Sequence, residues 1–535
     1  MGRASPLARE ALLSAGVAAG FAALLAWAGP PGTDLAAHVY QRTVFLDHGF
    51  TLWNNFWYAG RYSFVTYSLL YYPLAGAFGI RPLAVATVAT ATLAFAVLVW
   101  KEWGPQARWS SRTFAVVWAG LILSAAFPFA LGAALALLAL WALQARRLWP
   151  FAGLAALAAA ASPVAFLLLA LVVVGLAIGR RVNRSLQVAV GATLLGVALL
   201  EELVLRAFPG GGRYPFSAAE LAAACVYSAL STLFTWRVER ARTLRYVFPV
   251  YGLACLTFFF VSSGVGENVA RLRYAAIPIT VLVLSLRDWR PRLPALVVFA
   301  LAVAWNVTPL AESYVRSDDD PAARAAYWQP AITFLRDHLT PSYRVEAVDT
   351  AGHWAALYLP RADIPLARGW FRQDDFPQNE VLYGDLGPRT YLHWLWSLGV
   401  RYVVLTTAAP DYSAKAEAML VGSPRSPLRR DFQTSELAVY EVPKPRPIIT
   451  GPARAHMVAM TESRIVARIG GPGTYRIAVR FSRYWEPSIG CAVRGPDGMI
   501  RLTVPRAGLV RLAFSPDAGA ALAALTGHAA RSCAG

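Results

Sequence analysis

Near the start of the chain a carboxylate and an imidazole stand four residues apart, Asp34 and His38 in Pro31-Gly32-Thr33-Asp34-Leu35-Ala36-Ala37-His38. On a helix that spacing puts both on one face. A positioned carboxylate at the mouth of a membrane protein can take a proton from an attacking hydroxyl. The plain alternative is local: Gly-Thr-Asp is a helix start signal, with Asp34 as N-cap, and His38 as a hydrogen-bonded helix residue. Asp47 and His48 follow in the same stretch, so a divalent metal stays open as a cofactor, although the spacing matches no known metal motif.

The elements that must position these groups are membrane helices. Hydrophobic residues make up 57% of the 535, mean hydropathy is +0.44 and charged residues only 15%, a composition foreign to soluble proteins of this size. Apolar runs compared with the ~20 residues of a bilayer crossing fall at Ala8–Gly29, Pro82–Trp100, Arg112–Phe127, Phe129–Leu143, Leu148–Ala161, Pro163–Gly179, Leu186–Phe208, Ala218–Trp236, Tyr246–Val261, Tyr274–Leu286 and Leu293–Leu310. About eleven spans are expected, and residues 1–310 form the transmembrane domain.

The net charge of +19 raises nucleic acid as a partner, but the excess lies in the membrane half: 24 Lys and Arg against 10 Asp and Glu up to residue 310, and 26 against 21 beyond it. Loop orientation explains it. With the N-terminus inside, alternate connections and the N-terminal segment collect 17 cations and the opposite loops 7, the bias of cytoplasmic loops. Eleven crossings then place Asp34 and everything after residue 310 outside, in an inner membrane. The first segment has no small-residue cleavage site and reads as a retained span.

Residues 311–443 read as an extracytoplasmic α/β unit, with helices at Pro321–His338 and Pro388–Leu398 and strands at Arg401–Leu405 and Leu437–Val442. After a boundary near Pro443–Pro447, residues 444–535 read as a β-sandwich, with alternating runs at Arg464–Ile469, Tyr475–Phe481, Met499–Val504 and Leu509–Phe514. The fold class is therefore a polytopic α-helical membrane protein with a C-terminal extracytoplasmic α+β domain. Cys491 and Cys533 both lie in this tail, where a disulfide is permitted.

The first external loop, 33–81, is long, and long loops are often functional. It carries Trp53-Asn54-Asn55-Phe56-Trp57-Tyr58, then Tyr62, Tyr67, Tyr71 and Tyr72. Aromatics at this density suit interfacial helices at the water–lipid boundary, and they also suit stacking on sugars.

The Gly-x-Asp-x-x-x-His pattern at Asp34 and His38, followed by Phe50 to Tyr62 and Tyr71-Tyr72-Pro73-Leu74, resembles the first external loop of GT-C-type membrane glycosyltransferases. It is most similar to bacterial membrane proteins named for a region related to pyruvoyl-tetrahydropterin synthase. Phe127-Pro128-Phe129-Ala130-Leu131-Gly132 with Trp141, Ala161-Ser162-Pro163-Val164, and Trp396 to Val404 extend the likeness across most of the chain. The resemblance implies a sugar donor carried on polyprenyl phosphate, an envelope glycan, lipid or protein acceptor, and inverting transfer. It makes Asp34 the base, with His38 orienting it or meeting the acceptor. One carboxylate suffices, because phosphate leaves without an acid's help.

Such a donor needs cations. Gly264-Val-Gly-Glu-Asn-Val-Ala-Arg-Leu-Arg273 offers Arg271 and Arg273 for phosphate oxygens, with Glu267 and Asn268 for the sugar, unless Glu267 simply pairs with Arg271 at helical spacing. Arg213, in Phe208-Pro-Gly-Gly-Gly-Arg-Tyr-Pro215, is a further phosphate candidate. For sugar or acceptor the candidates are Trp53, Asn54 and Tyr58, and in the tail Trp370, Arg372, Gln373 and Asp375, where polar groups are mixed with Trp near Gly352-His353-Trp354. A loop kept polar for solubility would look the same. Nucleotide-cradling, zinc-protease and paired-cysteine motifs are missing from the sequence. Two other readings remain, a lipid or glycan transporter and an inactive glycan-binding membrane protein.

Overall fold

The computed structural model of the protein describes residues 5–179, 183–210 and 212–525. It divides into two compact units. One comprises Met1–Leu35, Tyr67–Glu202 and Arg213–Asp318, and the other Ala36–Thr66, Leu203–Gly212 and Asp319–Gly535. The second draws on three separate stretches of chain, among them most of the first loop.

The helices, in chain order, are α1 (Pro6–Ala28), α2 (Leu35–His48), α3 (Tyr71–Phe78), α4 (Ile80–Trp103), α5 (Arg108–Ala119), α6 (Leu121–Ser124), α7 (Phe127–Gln144), α8 (Leu148–Ala161), α9 (Pro163–Gly179), α10 (Arg184–Ala207), α11 (Ala218–Trp236), α12 (Val247–Phe260), α13 (Ala276–Ser285) and α14 (Arg292–Ser317). Each of the eleven apolar runs is helical. Seven stretches are long and apolar enough to cross a membrane: Pro6–Ala28, Ile80–Ser124, Phe127–Gln144, Arg184–Ala207, Ala218–Trp236, Glu239–Phe260 and Arg292–Ser317. At 14 residues α8 is about 21 Å long, short of the ~30 Å hydrocarbon core. It ends where extended Ser162 precedes Pro163, a residue that disfavours helix before it. Small residues let these helices approach closely: Ala136, Ala139, Ala155 and Ala158 pack around Phe151 in the core between α7, α8 and α9. Arg112 on α5 holds buried Glu10 on α1 through two bonds of 3.0 and 3.1 Å, so neither charge is left alone.

The second unit is β-rich. Its strands are β1 (Trp53–Asn54), β2 (Arg61–Tyr62), β3 (Arg344–Ala347), β4 (Val400–Thr406), β5 (Arg429–Gln433), β6 (Leu437–Glu441), β7 (Ile449–Thr450), β8 (Ala455–Thr461), β9 (Arg464–Ile469), β10 (Gly473–Arg480), β11 (Trp485–Pro487), β12 (Cys491–Arg494), β13 (Met499–Val504) and β14 (Gly508–Phe514). A mixed sheet runs β3-β4-β6-β5, with β3 and β4 parallel. It is accompanied by α15 (Ala325–His338), α16 (Ala355–Tyr358), α17 (Pro388–Leu398) and α18 (Lys415–Val421). Two antiparallel four-stranded sheets follow, β12-β13-β10-β7 and β11-β14-β9-β8. Alternation decides which face is inside: Ile500, Leu502 and Val504 of β13 are buried while Arg501 and Thr503 are exposed. The expected disulfide partner Cys533 lies outside the described residues.

The loop aromatics require a correction. They do not form an interfacial belt, because Trp53, Asn54, Trp57 and Tyr58 are all at most 2% exposed, inside the β-rich unit. Asn55 donates its backbone N–H to Glu462 O and its side-chain amide to Thr461 O, at 2.9 and 2.8 Å. Trp57 Nε1 donates to Ala356 O at 2.9 Å. Trp53 stacks on Phe514 with ring centroids 5.0 Å apart. Helix α2 serves the same core, burying Ala36, Ala37, His38, Tyr40, Gln41 and Val44.

Candidate functional site

Asp34 belongs to the helical unit, at the end of a turn clamped to a break between two helices. Helix α6 stops at Ala125, whose φ of 52° is left-handed, and α7 restarts with Pro128 in its first turn, where a missing N–H costs nothing. The last carbonyls of a helix lack intrahelical donors. Here the turn supplies them: Thr33 donates its backbone N–H to Leu123 O at 3.1 Å, and Asp34 to Ser124 O at 3.2 Å. Gly32 makes the approach possible, since a Cβ there would lie 2.6 Å from both Ala125 Cβ and Ile122 O. The Asp34 backbone is thereby fixed by covalent turn and helix end together. His38, within α2, belongs to the other unit and is fully buried there, its ring centroid 6.2 Å from that of Trp370.

The cation segment also meets the start of α7. The Arg271 guanidinium lies over the Phe129 ring at 5.3 Å, and Tyr274 is 6.3 Å from the same ring. Among the described residues Arg271 has no carboxylate partner. Arg273 differs, because Glu220 holds it at 3.1 Å and Glu267 stands 4.0 Å away. The local pairing of Glu267 with Arg271 is therefore not what forms: Glu267 turns to Arg273 and accepts the Ser217 N–H at 3.1 Å. Arg213 is exposed, and its neighbour Tyr214 donates to Ser263 O at 2.9 Å, bringing that segment alongside the turn of Glu267 and Asn268. Asn268 is half-buried in this turn.

In the β-rich unit the tail cluster becomes an interior ion network, which corrects the expectation of a saccharide-facing surface for Arg372 and Asp375. Arg372 is 8% and Asp375 1% exposed. Arg372 holds Asp411 at 2.5 Å, Asp349 at 3.4 Å and Asp375 at 3.7 Å, and donates to Ser413 Oγ at 2.5 Å. Asp375 further accepts from Asn379 and from Tyr383, at 3.0 and 2.7 Å. Tyr58 donates its hydroxyl to Phe371 O at 2.7 Å, and Asn54 bonds the Tyr40 hydroxyl and the Phe56 N–H. These groups are buried and spend their bonds on the interior of the unit, not on a solvent-facing surface. Gln373 is half-buried, its carbonyl accepting the Gly212 N–H at 2.7 Å. Trp370, 8% exposed, lies between two histidines, His38 at 6.2 Å and His353 at 6.0 Å.

Other residues of this network carry no sequence motif. Arg368 bridges two buried carboxylates, Glu346 at 2.9 Å and Glu417 at 3.0 Å, while Tyr391 donates to Glu417 at 2.7 Å. Burial pushes both carboxyls above the usual range against the pull of Arg368, and one proton between them brings the triad to neutrality. Asp349 goes the other way. Burial pushes it up, but His353 at 2.8 Å, with Arg372, outweighs that and holds it below the usual carboxylate value. The signal available in sequence was the four-residue spacing of Asp349 and His353. In the Asp34, His38, Asp47 and His48 stretch His48 pairs with Glu462 at 3.3 Å, and among the described residues no group of three or more His, Cys, Asp and Glu is placed to hold a metal ion.

The fold and these placements define a multi-pass membrane protein with a C-terminal β domain. No family model and no curated protein matches the chain. Among solved structures it is similar to the arabinofuranosyltransferase AftD from Mycobacteria, with 15% identity and a TM-score of 0.44 over 82% of this chain and 40% of that one. It therefore spans about two fifths of that protein's length. It is also similar to the oligosaccharyltransferase AglB from Archaeoglobus fulgidus, with 13% identity and a TM-score of 0.44 over 85% of this chain and 80% of that one. A further similarity is to ArnT from Cupriavidus metallidurans bound to undecaprenyl phosphate, with 13% identity and a TM-score of 0.35 over 81% and 97%.

Proposed function

We propose that the protein is a GT-C-type glycosyltransferase of the inner membrane, moving a sugar from a polyprenyl phosphate to an envelope glycan, lipid or protein on the non-cytoplasmic face. The observation that carries this is the clamped Asp34 turn. A carboxylate on a backbone fixed by two hydrogen bonds and a close glycine contact is pre-positioned, and positioning is what a general base requires. The bonded path from that turn leads through Ser124 to the start of α7, where Arg271 lies over Phe129 with no carboxylate partner among the described residues.

In the reaction Asp34 takes the proton of an acceptor hydroxyl. The oxygen bonds to the anomeric carbon, the bond from that carbon to the phosphate oxygen breaks, and polyprenyl phosphate departs with the electron pair. Arg271 steadies the phosphate charge through its fork of donors. Attack opposite the leaving group inverts the anomeric centre. Arg213 is a second phosphate contact, and Glu267 and Asn268 stand beside it for the sugar; Arg273, paired with Glu220, shapes the turn that presents Arg271.

The test is transfer from labelled polyprenyl phosphate sugars by purified protein, native against Asp34→Asn. The substitution keeps the turn's backbone bonds and removes the base, so a fall in kcat of about 10²–10⁴-fold is expected. Undiminished transfer would sink the assignment. Donor movement across vesicles without transfer would favour the transporter reading.

A further inference from the structure

We infer a second saccharide site, on the β-rich unit in the groove between α15 and the edge strand β5, that takes a glycan chain of the acceptor class. It rests on the glycosyltransferase reading for its biological sense, and on the groove's own chemistry for its ligand. The groove is shallow and open to solvent, about 470 Å³, and is lined among others by Gln329, Thr333, Phe334, Asp337, His338 and Phe432. Its residues sort into two walls. Gln329, Thr333 and Asp337 recur every four residues along α15, a polar ladder rising about 6 Å per step. The first two are already aligned, with Gln329 Nε2 donating to Thr333 Oγ1 at 3.3 Å.

The other wall is a stack of flat rings. His338 and Phe334 are parallel within 14° at 4.2 Å, and Phe334 and Phe432 within 20° at 5.1 Å. His338 Nδ1 is bonded to Phe334 O at 2.8 Å, which fixes the outer ring. A sugar has apolar C–H faces and a rim of hydroxyls; with Phe334 covered on both faces by its neighbours, the stack offers the outer side of exposed His338 and its ring edges to the faces, and the ladder offers amide, hydroxyl and carboxylate groups to the rim. A peptide adding as a strand is disfavoured. Arg429, Arg430 and Asp431 put charges on exposed positions of β5, and the pairing with β6 is irregular between Arg430 and Phe432, both devices that blunt sheet edges.

The experiment uses the full chain in detergent, with short linear arabinan, mannan and glucan oligosaccharides as probes and saturation-transfer NMR with titration as the readout. Binding of at least one probe is expected, weakened about tenfold by Asp337→Asn, which loses a charge-assisted bond, and by Phe432→Ala. Asp337 is exposed, so its variant keeps the fold. Asp34→Asn should bind the probe as the native protein does. Absence of binding by the native protein, or binding indifferent to both groove variants, overturns the inference. Were Asp34→Asn fully active while Asp337→Asn still lost the probe, the base assignment would fall and the groove would stand.

Discussion

Replacing Gly32 with alanine tests the positioning argument without touching a reacting group. The added Cβ would sit 2.6 Å from Ala125 Cβ, 2.6 Å from Ile122 O and 2.9 Å from Ala125 N. Carbon contacts are ordinary near 3.5–4.0 Å, so the turn must retreat by roughly 1 Å. That retreat stretches the bonds from Thr33 to Leu123 and from Asp34 to Ser124, each worth about 0.5–1.5 kcal/mol, and overpacking costs about 1–3 kcal/mol. For a protein of this size the fold survives. The carboxylate does not keep its place, and a displacement of that order costs about 10²-fold in rate. Gly32→Ala should therefore melt a few degrees lower and retain about 1% of kcat. Adding Ala125→Gly removes one of the clashing carbons at a position already left-handed, and should restore part of the rate. A Gly32→Ala protein with native turnover, measured beside an inactive Asp34→Asn, would refute the claim that the clamp positions the base.

Arg271→Ala should raise KM for the lipid-linked donor about tenfold or more while leaving the melting profile unchanged, as radiolabelled transfer across a donor series would show. Trp53→Ala should cost about 3–5 kcal/mol in denaturant unfolding, because Trp53 is a core residue packed on Phe514; an altered sugar affinity with unchanged stability would contradict that. Arg368→Met leaves Glu346 and Glu417 without their counter-ion and should destabilise by about 3–5 kcal/mol at neutral pH, with recovery as pH falls and the carboxyls protonate. Asp349 has the opposite sense. Its folded value is below the ordinary one of about 3.9, so its stabilisation is present above that pH and is lost as pH falls through the depressed folded value. Asp349→Asn should flatten the acid arm of the stability curve, followed by tryptophan fluorescence.

The eleven apolar runs were legible as helices because apolarity over a sufficient length needs no partner to be recognised, although only seven stretches have the length and apolarity to cross a membrane. Strands such as Met499–Val504 and Leu437–Glu441 showed themselves through alternation and β-branched content. What was hidden depended on distant closure. Trp53 to Tyr58 has the composition of an interfacial belt, and only pairing with residues some 300 and 400 positions later, Ala356 and Thr461, makes it a core. Strand β3 was invisible because its charges are inside: Arg344 and Glu346 are both fully buried, against the usual pattern. At the candidate site the turn at Asp34 could be read locally, whereas the contact of Arg271 with Phe129 joins segments distant in sequence. Glu267 likewise turns from Arg271, its neighbour at helical spacing, to Arg273, which Glu220 from a distant helix also holds.

The β-rich unit is assembled from residues 36–66, 203–212 and 319–535, and this has a consequence in time. A ribosome delivers the first piece, with Trp53, Trp57 and Tyr58, and then must make residues 67–318 before the sheets that cover those rings exist. At roughly 5–20 residues per second that interval is on the order of tens of seconds. Through it the aromatic segment lacks its partners, and the unit closes only once the last membrane helix has been synthesised. A chain halted midway would leave Trp53 and Trp57 without Phe514 and Ala356, the later residues that meet them.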